Sequence, residues 1–295
     1  MKISLISFLM ALTGNIALAQ SPDKVLAKVN YAFSHIRDTT QKNNPYTENM
    51  ALLIGRNASV YTSYDKATQD LERKKLIEEQ MKNSPPGAPM HINVGKSKPT
   101  TPIEYYTFIK ENKLFIKEPL FTIYLTEETL PKIDWKVGKD TTSFSGLHCQ
   151  KATARFKGRN WIAWYAPELP FQSGPWKLNG LPGLIVEAYD EKKEVQFLFA
   201  GFENVKSQPE TTPLPTESGL KIATGTLASN EIRLPTDAVR TTVEALNKLK
   251  ETRAKDPVGF AKAQMGDSGV TIAVGASKTG ASPAKNVINN PIELP

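Results

Sequence analysis

The chain has 295 residues and a formal net charge of +7, with 37 lysines and arginines against 30 acidic residues. This length suffices for one large domain or two small ones. The basic residues are scattered along the chain, and their densest run, Arg73–Lys75, is flanked by glutamates. Mixed charges of this kind are typical of a solvent-exposed helix face. The charge pattern therefore argues against nucleic-acid binding. The single cysteine, Cys149, excludes an internal disulfide, so the fold must depend on core packing.

The first nineteen residues have the features of a secretory signal peptide. Lys2 supplies a positive charge, an apolar stretch covers residues 3–12, and Ala17-Leu18-Ala19 is a small-x-small cleavage site. A membrane anchor would need an apolar stretch that spans ~30 Å of hydrocarbon, and this one is too short. We therefore expect export with cleavage after Ala19, which leaves a net charge of +6 because Lys2 is the only charged residue removed.

Two extended segments and a helix are predicted in the first hundred residues. Residues 24–37 alternate between apolar and polar side chains, the period of a half-buried strand. Residues 49–65 form the next extended segment, with Gly55 as a bend or bulge, and we expect the two segments to pair antiparallel. Residues 66–83 contain neither glycine nor proline and predict a surface helix with Asp65 as its N-cap.

Residues 103–205 consist almost wholly of short apolar stretches separated by turn residues. Regular spacing of this kind is typical of an antiparallel meander. A segment rich in glycine and proline, residues 166–183, interrupts the pattern and is expected to cross rigidly between two strands. The predicted strands lie at 103–109, 113–116, 121–125, 133–137, 149–156, 161–165, 184–189 and 195–200.

The C-terminal third predicts helices and irregular chain. Thr236 is placed to cap a helix over residues 237–253, and a second short helix is expected at 258–265. We divide the mature chain into a β-rich domain, an extension whose helix packs on it, and a flexible tail, at residues 20–206, 207–265 and 266–295. The predicted fold is mainly β (α+β): a curved antiparallel sheet or open half-barrel, with one helix after the second strand and a C-terminal helix.

Few residues offer acid–base or metal chemistry. Asp38 follows His35 by three residues. In one interpretation the Asp38 carboxylate orients the His35 imidazole for catalysis. In the other, His35 is simply a residue at the end of a strand, and Asp38 is a solvated neighbour. His148 and Cys149 suit a soft metal, but neighbouring strand residues point to opposite faces, which favours a buried thiol beside an exposed histidine. The sequence lacks nucleophile-elbow and phosphate-loop motifs. His35, Asp38 and His148 remain the catalytic candidates, and we expect no metal site and no cofactor.

A cluster of aromatic residues offers a ligand-binding alternative. Trp161, Trp164, Tyr165 and Trp176 lie within sixteen residues of one another. They would line a groove for an apolar ligand or fill the core of the sheet, and both interpretations hold if the sheet curves around a cavity. The run that follows carries no polar side chain and has a structural role in our interpretation; its residues are Gly180, Leu181, Pro182, Gly183, Leu184 and Ile185.

The block from Thr141 to Asp190, which contains this run and Ser173-Gly174-Pro175, resembles the GLPGLI family of exported Bacteroidota proteins. The stretches Tyr31–His35 and Asn290–Leu294 are similar to that family as well. The resemblance implies export and a β-rich fold, and it brings no established catalytic residues. It also implies an accessory protein of the cell envelope that works beside outer-membrane importers.

Together, these features predict an exported protein without enzymatic activity, in the periplasm, at the outer membrane or secreted. Its expected ligand is apolar, or its expected partner is a protein, with an outer-membrane protein as the candidate. Nucleic acid is not an expected partner, and any membrane association is peripheral. One alternative is a hydrolase or metal-dependent enzyme that uses His35, Asp38 and His148. Another is a structural or assembly accessory of an outer-membrane transport system, which would use an exposed sheet edge.

Overall fold

The computed structural model describes residues 22–83, 97–205, 226–265 and 288–295. The predicted signal peptide, His91 and most of the predicted tail lie outside these residues. Fourteen strands are described: β1 (Asp23–Lys24), β2 (Ala27–His35), β3 (Tyr46–Ile54), β4 (Ala58–Ser63), β5 (Glu104–Phe108), β6 (Lys113–Pro119), β7 (Ile123–Thr129), β8 (Lys136–Phe144), β9 (Leu147–Phe156), β10 (Arg159–Ala166), β11 (Leu184–Asp190), β12 (Val195–Asn204), β13 (Glu231–Ile232) and β14 (Val239–Thr241).

Twelve of these strands form one sheet that does not close into a barrel. Their order is β14-β7-β6-β5-β4-β3-β2-β12-β11-β10-β9-β8, and β1 pairs with β13 separately. All neighbours are antiparallel except β14 and β7, which are parallel. The prediction of a mainly β fold built on an antiparallel meander is confirmed, because most neighbours in the sheet are also neighbours along the chain.

The sheet curves around its main core. Tyr61 on β4 and Phe197 on β12 are separated by two intervening strands, which in a flat sheet would hold them about 14 Å apart. Their ring centroids are 6.0 Å apart, so the concave faces converge. The segment between β10 and β11 fills this concavity, since Trp176, Leu178 and Leu181 are buried in the same cluster. The predicted crossing segment is therefore part of the core.

Two details of the N-terminal half differ from the prediction. The second extended segment is a hairpin of β3 and β4 that turns at Gly55–Asn57, because the Asp23 carboxylate accepts hydrogen bonds from the amides of Asn57 and Ala58. Helix α1 (Tyr64–Asn83) consequently follows the fourth strand, and none of its residues is buried. Its first turn is capped by the Ser63 hydroxyl, which accepts from the Lys66 amide, instead of by Asp65.

The C-terminal helix begins later than predicted. Helix α2 (Val243–Lys255) is capped by Thr242, whose hydroxyl accepts from the Ala245 amide. The residues expected to form its first turn are in β14, because Val239–Thr241 pair with Tyr124–Thr126 of β7. The second helix, α3 (Pro257–Met265), is confirmed. Residues 288–295, predicted as the end of a flexible tail, instead pack on the domain, where Asn290 is buried and Ile292 contacts the main core.

Candidate functional site

His35 and Asp38 do not form the expected pair. The buried His35 ring lies at the end of β2, where Nε2 donates to the carbonyl of Asn290 over 2.7 Å. Burial lowers the pKa of His35 from 6.5 to about 4, although the bond to Asn290 opposes this shift. Asp38 accepts from the amide and hydroxyl of Thr40, which lower its pKa, and from the Asn289 side chain. Each residue therefore serves the attachment of the C-terminal segment.

His148 lies in a different part of the described structure, on β9 beside an open depression of about 500 Å³. Its backbone amide donates to Glu168. Burial, with nearby Glu168 and Glu187, raises the pKa of the Cys149 thiol to about 11, so the thiol stays protonated and is a poor nucleophile and metal ligand. The depression is lined by Thr141, Thr142, Ser143, His148, Cys149, Gln150, Pro167 and Glu168.

The described residues hold no group of three or more histidine, cysteine, aspartate or glutamate side chains arranged to bind a metal ion. No hydrogen bond or ion pair among them joins His35 with Asp38 or with His148. The three catalytic candidates are thus divided between the C-terminal attachment and the depression.

The aromatic candidates differ in how deeply they are buried. Trp161 and Trp176 are buried with ring centroids 5.8 Å apart, and Trp161 Nε1 donates to the Phe156 carbonyl. Tyr165 is buried as well, and its hydroxyl donates to Gln150. Trp164 is only partly buried; it packs against the main core and lies near the ammonium of Lys151. The four rings do not line one groove in the described structure.

The Gly180–Ile185 run closes the segment that fills the concavity. Leu181, Leu184 and Ile185 are buried, and the Ile185 carbonyl accepts the Tyr31 hydroxyl over 2.6 Å. Its role is packing, in agreement with the absence of polar side chains. The same segment holds Trp176 in a left-handed backbone conformation (φ 55°), with a buried indole N–H that has no hydrogen-bond partner among the described residues.

The most densely bonded site is one that sequence reasoning missed. Arg159, the first residue of β10, is 3% exposed and uses all five of its N–H donors. Nη1 donates to Asp190 Oδ2 (2.8 Å) and Glu194 Oε2 (3.3 Å). The other three donors bind the C-terminal segment. Their acceptors are Asn290 Oδ1 (2.6 Å), the Pro291 carbonyl (2.7 Å) and the Ile292 carbonyl (2.9 Å).

The Asn290 side chain is held with equal completeness. Its Nδ2 donates to the Ile36 carbonyl and to Glu194, while its Oδ1 accepts from Arg159. Two residues further along the chain from Pro291, Glu293 forms ion pairs with Lys177 (2.9 Å) and Lys157 (3.1 Å). Burial pushes the pKa of Glu293 upward, but the two lysines outweigh burial and hold it below its usual value.

The sequence carries only a weak signal for this site. Arg159 stands in a Gly-Arg-Asn stretch that predicts a turn, and its tail partners are more than 130 residues away. No spacing rule connects positions so far apart. The similarity of Asn290–Leu294 to a family motif draws attention to the C-terminal segment. It does not indicate where on the domain that segment binds.

Strand β8 forms one edge of the large sheet. Within the described ranges it pairs with β9 only, and residues 136–141 are exposed. The register shifts between Val137 and Thr141, whereas Thr141–Phe144 pair regularly with Leu147–Gln150. The depression is lined from the β9 side of this strand, and the backbone groups on the other side of β8 have no strand partner among the described residues.

Comparison with known proteins yields one family match. Residues 155–187 match the family model described as "Protein of unknown function (Porph_ging)", a Bacteroidota-associated family. The matched region contains both Arg159 and the Gly180–Ile185 run. No curated protein matches the sequence.

The solved structures that are similar to this one include two of PNGF-II. The structure of PNGF-II in space group P21 has a TM-score of 0.47 at 11% identity over 76% of this chain, and the structure in space group C2 has a TM-score of 0.41 at 13% identity over 62%. This chain spans about a third of the PNGF-II chain (32% and 28%). Among the described residues, no helix has both the length and the apolar character that a membrane crossing requires.

Proposed function

We propose that the protein is an exported, non-enzymatic GLPGLI-type protein of the bacterial envelope that binds an extended segment of a partner protein along strand β8. The edge position of β8 carries this proposal. An edge strand presents unpaired N–H and C=O groups that a second extended chain is able to satisfy, and many proteins bind partners by such strand addition. The resemblance of the sequence to exported proteins supports the envelope location.

The two halves of β8 have different roles in this proposal. The irregular half, with its register shift and exposed Lys136 and Lys139, discourages indiscriminate pairing, as charged and bulged edges do. The regular half, Thr141–Phe144, offers the ladder for the partner strand.

The charge of β8 indicates the kind of segment that would bind. Asp140 is engaged by Lys151 at 3.0 Å, which leaves Lys136 and Lys139 without a carboxylate partner among the described residues. An extended segment that carries an acidic residue would match the charge of β8 if that residue came to lie near Lys139. The hydrolase alternative has less support, since His35 and Asp38 both attach the C-terminal segment.

The test places a photo-reactive side chain on each edge strand of the sheet. Ser143 lies in the regular half of β8 and Val239 lies on β14, the strand at the other end of the sheet, and both side chains are exposed. The full chain, produced in its own envelope, should cross-link a partner from position 143 and not from position 239. A synthetic peptide of the captured segment should then slow the hydrogen exchange of the Thr141–Phe144 amides. Equal capture at both positions, or a peptide that leaves those amides unprotected, would refute the proposal.

A further inference from the structure

The C-terminal segment Asn289–Pro295 binds the domain as a peptide ligand binds a receptor. Its backbone is held by the domain at successive residues. The amides of Asn289 and Asn290 donate to the Arg37 carbonyl, the Asn290 carbonyl accepts from His35, and the Leu294 amide donates to the Lys157 carbonyl. No hydrogen bond among the described residues joins two members of the segment. Its bound conformation is therefore imposed by the domain.

The domain residues form a groove with distinct subsites, which we call the Arg159 groove: the end of β2 (His35–Arg37), Lys157, Arg159, Lys177 and Glu194. The planar Arg159 guanidinium donates to three acceptors of the segment at once. These are the side-chain oxygen of Asn290 and the backbone carbonyls of the next two residues, Pro291 and Ile292. Lys177 and Lys157 supply a subsite for a carboxylate three residues after the asparagine. The domain thus contacts, in order along the segment, an asparagine, a proline, an apolar residue and an acidic residue.

Pro291 suits this groove for two reasons. Proline fixes its own φ and restricts the preceding residue to extended conformations, so the segment loses less conformational freedom on binding. Proline also has no amide hydrogen, and the groove offers Pro291 only a donor, the Arg159 Nη2 atom that binds its carbonyl.

We infer that the Arg159 groove is a peptide-binding site that recognises an extended Asn-Pro-apolar-acidic segment independently of its covalent attachment. The occupant is residues 289–295 of this chain. Residues 266–287 connect the segment to α3 and reach at most about 75 Å when extended. A tether of this kind gives an effective concentration on the order of millimolar, so the attached segment outcompetes a free one until the chain is cut.

The experiment uses the full chain with a sequence-specific protease site inserted after Gly280. After purification and cleavage, the fragment that ends at Pro295 should remain bound and co-elute with the domain. A labelled peptide of residues 288–295 should then replace it reversibly and saturably, without unfolding the domain. Release of the fragment with no rebinding of peptide, or retention that exchanges only when the domain unfolds, would show an integral structural element and overturn the inference.

Peptide variants test specificity without altering the fold of the domain. Replacing the residue that corresponds to Asn290 with alanine should weaken binding by about 30-fold or more, because an Arg159 donor is left unpaired in a buried site. Replacing Asn289, whose side chain bonds only exposed groups, should change binding by less than about 3-fold. Equal effects of the two substitutions would overturn the inference.

A second arm removes the dependence on cleavage. In the uncut full chain with Asn290→Ala, the attached segment is a weak competitor, so the labelled wild-type peptide should bind. The uncut wild-type chain should bind the same peptide far more weakly. A variant chain that takes up no more peptide than the wild type would contradict a separable ligand.

Discussion

The Arg159 guanidinium and the Asn290 side chain, 131 residues apart in sequence, share a 2.6 Å hydrogen bond in the interior. The bond joins the start of β10 to the C-terminal segment, and both partners are otherwise fully bonded. A buried cation is tolerated only where its charge and its donors are satisfied. The carboxylates of Asp190 and Glu194 neutralise the positive charge of Arg159, and the C-terminal segment accepts hydrogen bonds from its remaining three donors. The segment therefore completes a site that the domain alone leaves open.

Asn290→Ala should destabilise the protein by about 3 kcal/mol, because the change leaves a buried Arg159 donor and the Ile36 carbonyl without this partner and removes one hydrogen bond to Glu194. In thermal unfolding this corresponds to a fall in Tm of roughly 5–10 °C. Asn289→Ala is the matched control, since the neighbouring asparagine is exposed and bonds Thr39 and Asp38 at the surface. Its cost should stay below about 1 kcal/mol. Equal losses in the two variants would contradict a specific role for Asn290.

Protonation of His35 should weaken the folded state below neutral pH. Burial lowers the pKa of His35 to about 4 in the folded protein, against its ordinary value of 6.5. The unfolded chain therefore binds more protons between these values, and stability falls as the pH falls through that window. The full difference is about 3 kcal/mol, present above pH 6.5 and lost by about pH 4.

Urea unfolding from pH 7 to pH 4 measures this dependence. His35→Gln should reduce the slope of stability against pH, because the glutamine amide does not titrate. His148→Gln, an exposed substitution on β9, is the control for the loss of a histidine elsewhere in the chain. Parallel curves for wild type and His35→Gln would exclude His35 as the group responsible.

The strands were predictable where their pattern is local. Period-two alternation marks β2 because this strand buries every second side chain in the core. The β3–β4 turn was missed because its cap, Asp23, lies more than thirty residues upstream. Val239–Thr241 fit a helical stripe equally well, and pairing with β7 decides the outcome, as tertiary contacts commonly override propensity.

The site residues were less predictable than the fold for the same reason. His35 and Asp38 are polar residues at a strand end, but their partners, Asn290 and Asn289, lie some 250 residues away. Arg159 has glycine and asparagine as its neighbours, so its local sequence predicts a turn and not a binding site. Only the curvature of the sheet, which sequence periodicity does not encode, brings these groups to one groove.

Trp161 and Trp164 should lose different amounts of stability on truncation, because Trp161 is fully buried whereas Trp164 is only partly buried. Trp161→Phe removes the donor to the Phe156 carbonyl and leaves a void, which should cost about 2 kcal/mol. Trp164→Phe should cost less than about 1 kcal/mol, since that ring is partly exposed near Lys151. Urea unfolding of both variants measures the difference. A larger loss for Trp164→Phe would mean that β10 presents the other face to the core.

The two glycines of the Gly180–Ile185 run should differ in what they tolerate. A Cβ at Gly183 would press against the carbonyl of Ala166, a backbone atom that has no room to move, so Gly183→Ala should cost about 3 kcal/mol and disturb the packing between β10 and β11. Gly180 has a φ of +88° but open space around it, so Gly180→Ala should cost only the strain of that conformation, about 1 kcal/mol. Thermal unfolding of the two variants ranks them directly. If Gly180→Ala lowers the stability more than Gly183→Ala does, then the run needs glycine for its backbone conformation and not for the close approach of Gly183 to Ala166.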